Sequence, residues 1–301
     1  MLAWRAVRVG FVTPLLWERF GPPWVGLIAD LGADVVVPGP EEVALALEDA
    51  RPSAALALAP RLAVAAAVAC GPVDLIVVPE LIAARDGGRG AAQDPWVADL
   101  PAMVARALPG GPGVLRVPVE PGPLVAAAAM PVLMRVNRDA GTVRRAWERR
   151  RRELETPWRR PGGSHGHGPA RSAADTEGPR VALVGPPWWL TEGGVALAGA
   201  GARSLTGQHH LDPEEARAEG RRVTPDLVDP DAEVVGAARR FARQREVDVV
   251  RLVVDASSTT APWLERRVRE VAGRNVEVVA ARDLADDATW ARASTPASPA
   301  T

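Results

Sequence analysis

The sequence predicts an α/β protein built from two doubly wound parallel sheets, and three observations lead there. Short β-branched runs alternate with helical patterns through both halves of the chain, which implies parallel strands with helices on their faces. The run Val73–Pro79 (VDLIVVP) is almost continuously apolar, the mark of a strand covered on both sides. A low-complexity stretch, Pro161–Pro179 (PGGSHGHGPARSAADTEGP), separates two such patterns and reads as a flexible linker. The expected boundaries are 1–138 for a first Rossmann-like domain, 139–179 for an Arg-rich helix and the linker, 180–290 for a second such domain, and 291–301 for a disordered tail. The two domains are expected to face each other across a central cleft.

Each element has a local reason. Arg8–Val12 reads as a strand, and Pro22–Leu31 as a helix with Pro in its first turn and Gly32 as its stop. Ala33–Val37 is the next strand. Glu41–Ala50 is a helix with acids in its first turn, where the helix dipole favours them. Arg61–Cys70 is a small-residue helix able to lie close on a sheet. A Gly-rich loop is expected at Asp86–Gly90, a helix at Leu100–Leu108 and a strand at Gly113–Val119. Ala140–Glu155 is a strongly charged helix. From Arg144 to Arg160 eight Arg face three Glu, a pattern that suits an anionic partner or, more simply, a solvated helix with Glu–Arg support at four-residue spacing. In the second half Arg180–Gly185 is a strand, and Glu192–Gly199 a short helix. Asp212-Pro213 and Asp229-Pro230 start further helices, the second running to about Arg245. Val247–Val254 is a buried strand, Trp263–Ala272 a helix stopped by Gly273, and Val276–Ala281 the last strand.

Composition excludes several chemistries. The chain of 301 residues is 47% hydrophobic and 24% charged with a net charge of −1, so it can bury a core and carries no global basic bias toward nucleic acid. All its basic residues are Arg. Without Lys there is no Schiff base, no pyridoxal-phosphate attachment and no P-loop Lys. A single Cys, Cys70, rules out an intrachain disulfide and any self-contained cysteine-ligated metal or iron–sulfur site; it ends an apolar helix and reads as a buried, inert thiol. The start, MLAWRAVRVGFV, has no signal-peptide pattern, and the most apolar stretch, Ala54–Cys70, is broken by Pro60 and Arg61. A cytoplasmic protein without membrane or nucleic-acid partners is expected, with no cofactor.

Candidate sites are few. Gly199-Ala200-Gly201-Ala202-Arg203 is half of a dinucleotide fingerprint, but it lacks the third Gly and ends a helix instead of joining strand to helix. His165, His167, His209 and His210 lack the further ligands a metal site needs. Trp188 follows a strand's carboxyl end, as an aromatic lid over a ligand or, with Trp189, as a hydrophobic plug. Ser257, Ser258, Thr259 and Thr260 offer four consecutive hydroxyls between the end of a buried strand and the start of a helix. There they can bind a phosphate or carboxylate, or Thr260 can simply cap the helix. Asp94 and Glu80 are candidate acid/base carboxylates.

The order of motifs resembles the family of D-component-like proteins related to 2-hydroxyacyl-CoA (2-hydroxyglutaryl-CoA) dehydratases and their activase-related proteins. The segment RVGFVTPLLWERFGPPWVGLIADLGADVVVP is similar to the family's opening strand and helix, with Pro22, Trp24, Leu31 and Gly32 matching. ALALAPRLAVAAA, VDLIVVPELI, DPWVADLPAMVARAL, RVALVGPPWW and VDVVRLVVDASSTTAPWLERRVREVAGRNVEVV resemble later motifs, with Pro60, Pro95, Leu100, Pro101, Glu265, Arg266 and Arg267 matching. The resemblance spans roughly residues 6–118 and 180–284 and implies a two-domain α/β fold. Family members that bind an iron–sulfur cluster do so through Cys thiolates at three of these loops. Here those positions hold Leu58, Asp94 and Ser257 or Ser258, which are not soft-metal donors. The resemblance therefore implies a cluster-free homologue: a non-catalytic binding or regulatory protein for a small anionic or acyl-CoA-like ligand. The alternatives are a cluster-independent enzyme using Asp94 or Glu80, or a structural partner of a cluster-bearing dehydratase or activator subunit. On each of these readings Leu58, Asp94, Trp188 and Ser257–Thr260 are expected near one another.

Overall fold

The computed structural model describes residues 5–54, 56–82, 94–120, 122, 125–156, 178–273 and 275–296. The chain forms two units: Met1–Ala83 with Pro95–Trp158 and Thr295–Thr301, and Ala84–Asp94 with Arg159–Ser294. Each unit holds a four-stranded parallel sheet flanked by helices, the architecture the alternating pattern predicts. The loop expected at Asp86–Gly90, and the linker up to residue 177 with His165 and His167, lie outside the described residues.

The first unit runs β1 (Arg8–Phe11), α1 (Trp17–Ala29), β2 (Asp34–Val36), α2 (Pro40–Ala46), α3 (Leu58–Ala69), β3 (Leu75–Glu80), α4 (Pro95–Ala98), α5 (Leu100–Ala107), β4 (Gly113–Pro118), α6 (Val125–Val136) and α7 (Ala140–Glu155). The sheet order is β2-β1-β3-β4, with Val9 opposite Val35 on one side and Leu75 on the other. The apolar run becomes β3, whose Ile76, Val77 and Val78 are fully buried. Helix α1 starts five residues earlier than its prolines suggest. Trp17 packs edge-on against both Phe11 and Phe20, at centroid distances of 5.8 and 5.7 Å, and this aromatic cluster draws the chain into helix before Pro22. Gly21 is needed there, because a Cβ would stand 2.3 Å from the Trp17 ring. The charged helix α7 belongs to this unit. Val143, Ala146, Trp147 and Leu154 form its buried stripe, Asp139 caps it, and Arg149 and Arg150 both reach Asp30, at 3.3 and 3.1 Å. The Ala-rich helix α6, with Pro131 inside it, is not expected from the sequence pattern.

The second unit runs β5 (Arg180–Val184), α8 (Glu192–Ala198), β6 (Ser204–Gly207), α9 (Pro213–Val223), α10 (Asp229–Ala242), β7 (Val249–Val254), α11 (Ala261–Ala272), β8 (Val276–Ala280), α12 (Ala281–Leu284) and α13 (Asp287–Ser294). Its order, β6-β5-β7-β8, repeats that of the first sheet, and the winding reverses between β5 and β7. Asp212 caps α9 as expected, accepting from the Glu214 and Glu215 amides. Helices α9 and α10 cross with almost no side chain between them. A Cβ on Gly236 would lie 1.8 Å from the Ala216 carbonyl oxygen, and one on Gly220 2.0 Å from that of Ala232. The disordered tail expected from Ala291 is corrected at 291–294. These residues continue α13, because Trp290 is fully buried, donates its indole N–H to the Ala281 carbonyl at 2.6 Å and meets Trp189 edge-on at 5.0 Å.

Candidate functional site

Parallel α/β sheets collect ligands at the carboxyl ends of their strands, where the winding reverses. In the second unit that position lies between β5 and β7. Beyond β5 the chain turns through Gly185-Pro186 into a single 3-10 turn, Pro187–Trp189. Trp188 is only 6% exposed and Trp189 lies against Trp290, so this turn is part of the unit's packed core and not an open aromatic lid. Beyond β6 comes Gln208; neither this residue nor the strand before it is marked by the sequence pattern. Its side chain accepts from the Gly185 amide at 3.2 Å and donates to Glu233 on α10 at 3.1 Å. Glu233 in turn meets the buried guanidinium of Arg217 at 3.3 Å. This buried chain of hydrogen bonds pins the ends of β5 and β6 to α9 and α10. His209 and His210, next in sequence, have ring centroids 4.0 Å apart with their planes tilted by 46°.

Beyond β7 lies the hydroxyl loop. Asp255 closes its first turn, accepting from the Ser257 amide at 3.0 Å and the Ser257 hydroxyl at 2.5 Å. Ser258 and Thr259 instead turn to Asp94. The Ser258 hydroxyl donates to Asp94 Oδ2 at 2.5 Å, the Thr259 amide donates to Oδ1 at 2.8 Å, and the Thr259 hydroxyl donates to Oδ1 as well. Both carboxylate oxygens are thus engaged, and Asp94 is 4% exposed. Thr260 occupies the cap position of α11 without a side-chain cap; its hydroxyl lies 2.9 Å from that of Ser258. Simple capping by Thr260 is therefore not what organises the loop. The carboxylate that serves the start of α11 comes from 165 residues away.

A second carboxylate stands close by. Asp231, in the first turn of α10, is pushed up to about 7 by burial, with the neighbouring charge of Asp94 adding to the shift. Its side chain has no hydrogen-bond or ion-pair partner among the described residues. In the sequence the Asp-Pro-Asp run is only a helix start, because nothing in the local pattern places α10 beside residue 94. Asp229 serves the helix start differently, through an ion pair to Arg221.

The remaining candidates belong to other elements. Glu80 ends β3 in the first unit and faces Arg116 at 3.5 Å. Leu58 opens α3 in the same unit and is fully buried. Cys70 is also buried there, its thiol pushed up to about 12 by desolvation, which makes it a poor nucleophile and ligand. Gly199 ends α8 and Gly201 takes a left-handed turn (φ 78°) into β6, so the partial dinucleotide fingerprint sits at a helix end. An iron–sulfur cluster does not suit these residues. Leu58 has no donor atom, and the oxygens of Asp94 and Ser258 are hydrogen-bonded to each other. Among the described residues there is no group of three His, Cys, Asp or Glu able to hold a metal ion, and no helix long and apolar enough to cross a membrane. Comparison with protein-family models, with curated proteins and with solved structures found no match for this chain.

Proposed function

We propose that this chain is a cluster-free relative of the 2-hydroxyacyl-CoA dehydratase family that acts as a binding or regulatory protein for a small anionic or acyl-CoA-like ligand. One observation carries the reading. Two of the positions at which the resemblance puts cluster thiolates, 94 and 258, are 164 residues apart in sequence and stand 2.5 Å apart as a carboxylate and a hydroxyl. That juxtaposition supports a common scaffold in which the iron-binding mouth has become an all-oxygen clasp. Electron transfer through a cluster has no donor set here, so binding is the activity that this end of the sheet suits. Iron and acid-labile sulfide analysis after anaerobic purification tests the reading. We expect substoichiometric background iron; a full cluster per chain would overturn it.

A second reading, acid/base chemistry without a cluster, is favoured by Asp94 and Asp231 together. Asp94 is buried against the hydroxyl loop, and Asp231 exchanges its proton close to neutral pH. A carboxyl that holds its proton close to neutral pH suits the role of general acid or base beside the hydroxyl loop. Glu80 instead shares Arg116 with Asp99, at 3.5 and 2.9 Å, in a partly exposed ion-pair cluster. A pH–rate profile on any substrate found for this protein, lost in D231N, would favour this second reading over binding alone.

A further inference from the structure

We infer that the outer face of α7 docks an acidic segment of a partner protein, an inference independent of the family reading. Helix α7 is held from beneath. Trp147 and Leu154 are buried, Asp139 caps its start, and Arg149 and Arg150 reach Asp30 at the end of α1. The Arg150 guanidinium lies so close to Gly26 that a Cβ there would stand 3.0 Å from it. The opposite face is therefore presented on a fixed support, which lowers the ordering cost of docking. On that face Arg145, Arg149 and Arg152 follow one another at four- and three-residue spacing, a row about 10 Å long. No acid lies within the row, and like charges at this spacing weaken a helix. The four-residue support open to Arg152 is not made, because Glu148 pairs with Arg151 at 3.6 Å instead. Arg144 and Arg152 have no ion pair among the described residues, and Arg145 meets Asp139 only at 3.9 Å. A face that served solvation alone would gain from interleaved acids; this one gathers cations.

The chemistry of the face selects the partner. Its exposed positions from Arg144 to Glu153 are all charged, so nothing there enters the apolar layer of a membrane or stacks on an unpaired base. Charge also disfavours duplex nucleic acid. Residues 138–160 hold nine of the 36 basic residues and four of the 37 acidic ones, leaving 27 and 33 in the rest of the chain. That negative remainder repels a long polyanion. A short acidic segment avoids it and meets the row alone. Guanidinium forks pair with carboxylates two bonds at a time. Carboxylates three and four residues apart on a partner helix match the row turn for turn. Glu148 and Glu153 flank the row on either side and repel an acid that docks out of register.

The test measures binding of fluorescent poly-L-glutamate to the full chain by anisotropy at low salt, with a DNA duplex and phosphatidylserine vesicles in parallel. A polymer of about 20 residues is long enough to cover the helix face. Polyglutamate should bind wild type, and more weakly as salt is raised to about 0.3 M. R145E/R152E should weaken this binding roughly tenfold. R245E/R266E makes the same change of net charge at exposed Arg of the second unit, and should alter it by less than about twofold. Should the reversal variant fail to fold, R145Q/R152Q carries the test, with an expected loss of about threefold. No binding of polyglutamate to wild type, an equal loss in R245E/R266E, or tighter binding of the duplex or the vesicles would overturn the proposal. None of these results depends on iron content, so this test and that of the family reading fail separately.

Discussion

Replacing Asp231 by Asn should stabilise the protein at alkaline pH and leave it unchanged in acid. The carboxyl of Asp231 titrates at 3.8 in the unfolded chain and at about 7 in the folded one. Between those values the folded state holds a proton that the unfolded state has released, so stability falls as pH rises from about 4 to about 7 and is level above. At about 1.4 kcal/mol for each tenfold change in proton affinity, the full difference is worth about 4 kcal/mol. Partial exposure of the side chain screens some of this, and we expect roughly 2–4 kcal/mol. Asn is neutral at every pH and nearly isosteric, so D231N should exceed wild type by that amount at pH 8 and match it at pH 4. Carboxylates held low by Arg, such as Asp49 beside Arg51, titrate alike in both proteins and cancel in the difference. Urea denaturation of both proteins at intervals from pH 4 to 9 measures the effect. A difference that does not grow between pH 4 and 7, or a D231N protein less stable than wild type at pH 8, would refute the assigned environment.

Other consequences follow from the packing. G236A should lose about 3 kcal/mol or more, because its methyl group meets the Ala216 carbonyl at 1.8 Å and must part α9 from α10; chemical denaturation reads this directly. W290A should cost about 3–5 kcal/mol through loss of the Trp189 contact and of the Ala281 hydrogen bond, and should release α13, visible as faster amide exchange at 287–294. Cys70 should resist a thiol reagent at pH 8 in the native protein and react at once in denaturant, since burial lifts its thiol to about 12.

Much of the scaffold is legible in the residues themselves. The apolar run Ile76–Val78, the Asp212-Pro213 start and the Gly273 stop are local signals, and each appears where its chemistry puts it. Elements decided by packing are not legible. Ser204–Gly207 is a short, half-buried strand at the sheet edge with too few apolar residues to announce itself. Helix α1 begins where Trp17 finds two aromatic neighbours, and α13 exists because Trp290 finds Trp189. The site divides in the same way. The hydroxyls of Ser257–Thr260, and Asp94 itself, are visible as polar residues at element ends. That Asp94 serves this loop, that Asp231 lies beside it and that Gln208 and Glu233 join two strands to two helices are facts of tertiary structure. One signal was available for α9 and α10: Ala216 and Gly220 share a spacing with Ala232 and Gly236, the small-residue pattern that lets two helix backbones touch.

The clasp between position 94 and the loop beyond β7 is the centre of the account, and a double-mutant cycle on D94A and S258A measures it most directly. A hydrogen bond from a hydroxyl to a buried carboxylate predicts a coupling energy of about 1.5–3 kcal/mol between the two substitutions. Additivity to within about 0.5 kcal/mol would mean that the two side chains do not act on each other, and would contradict it.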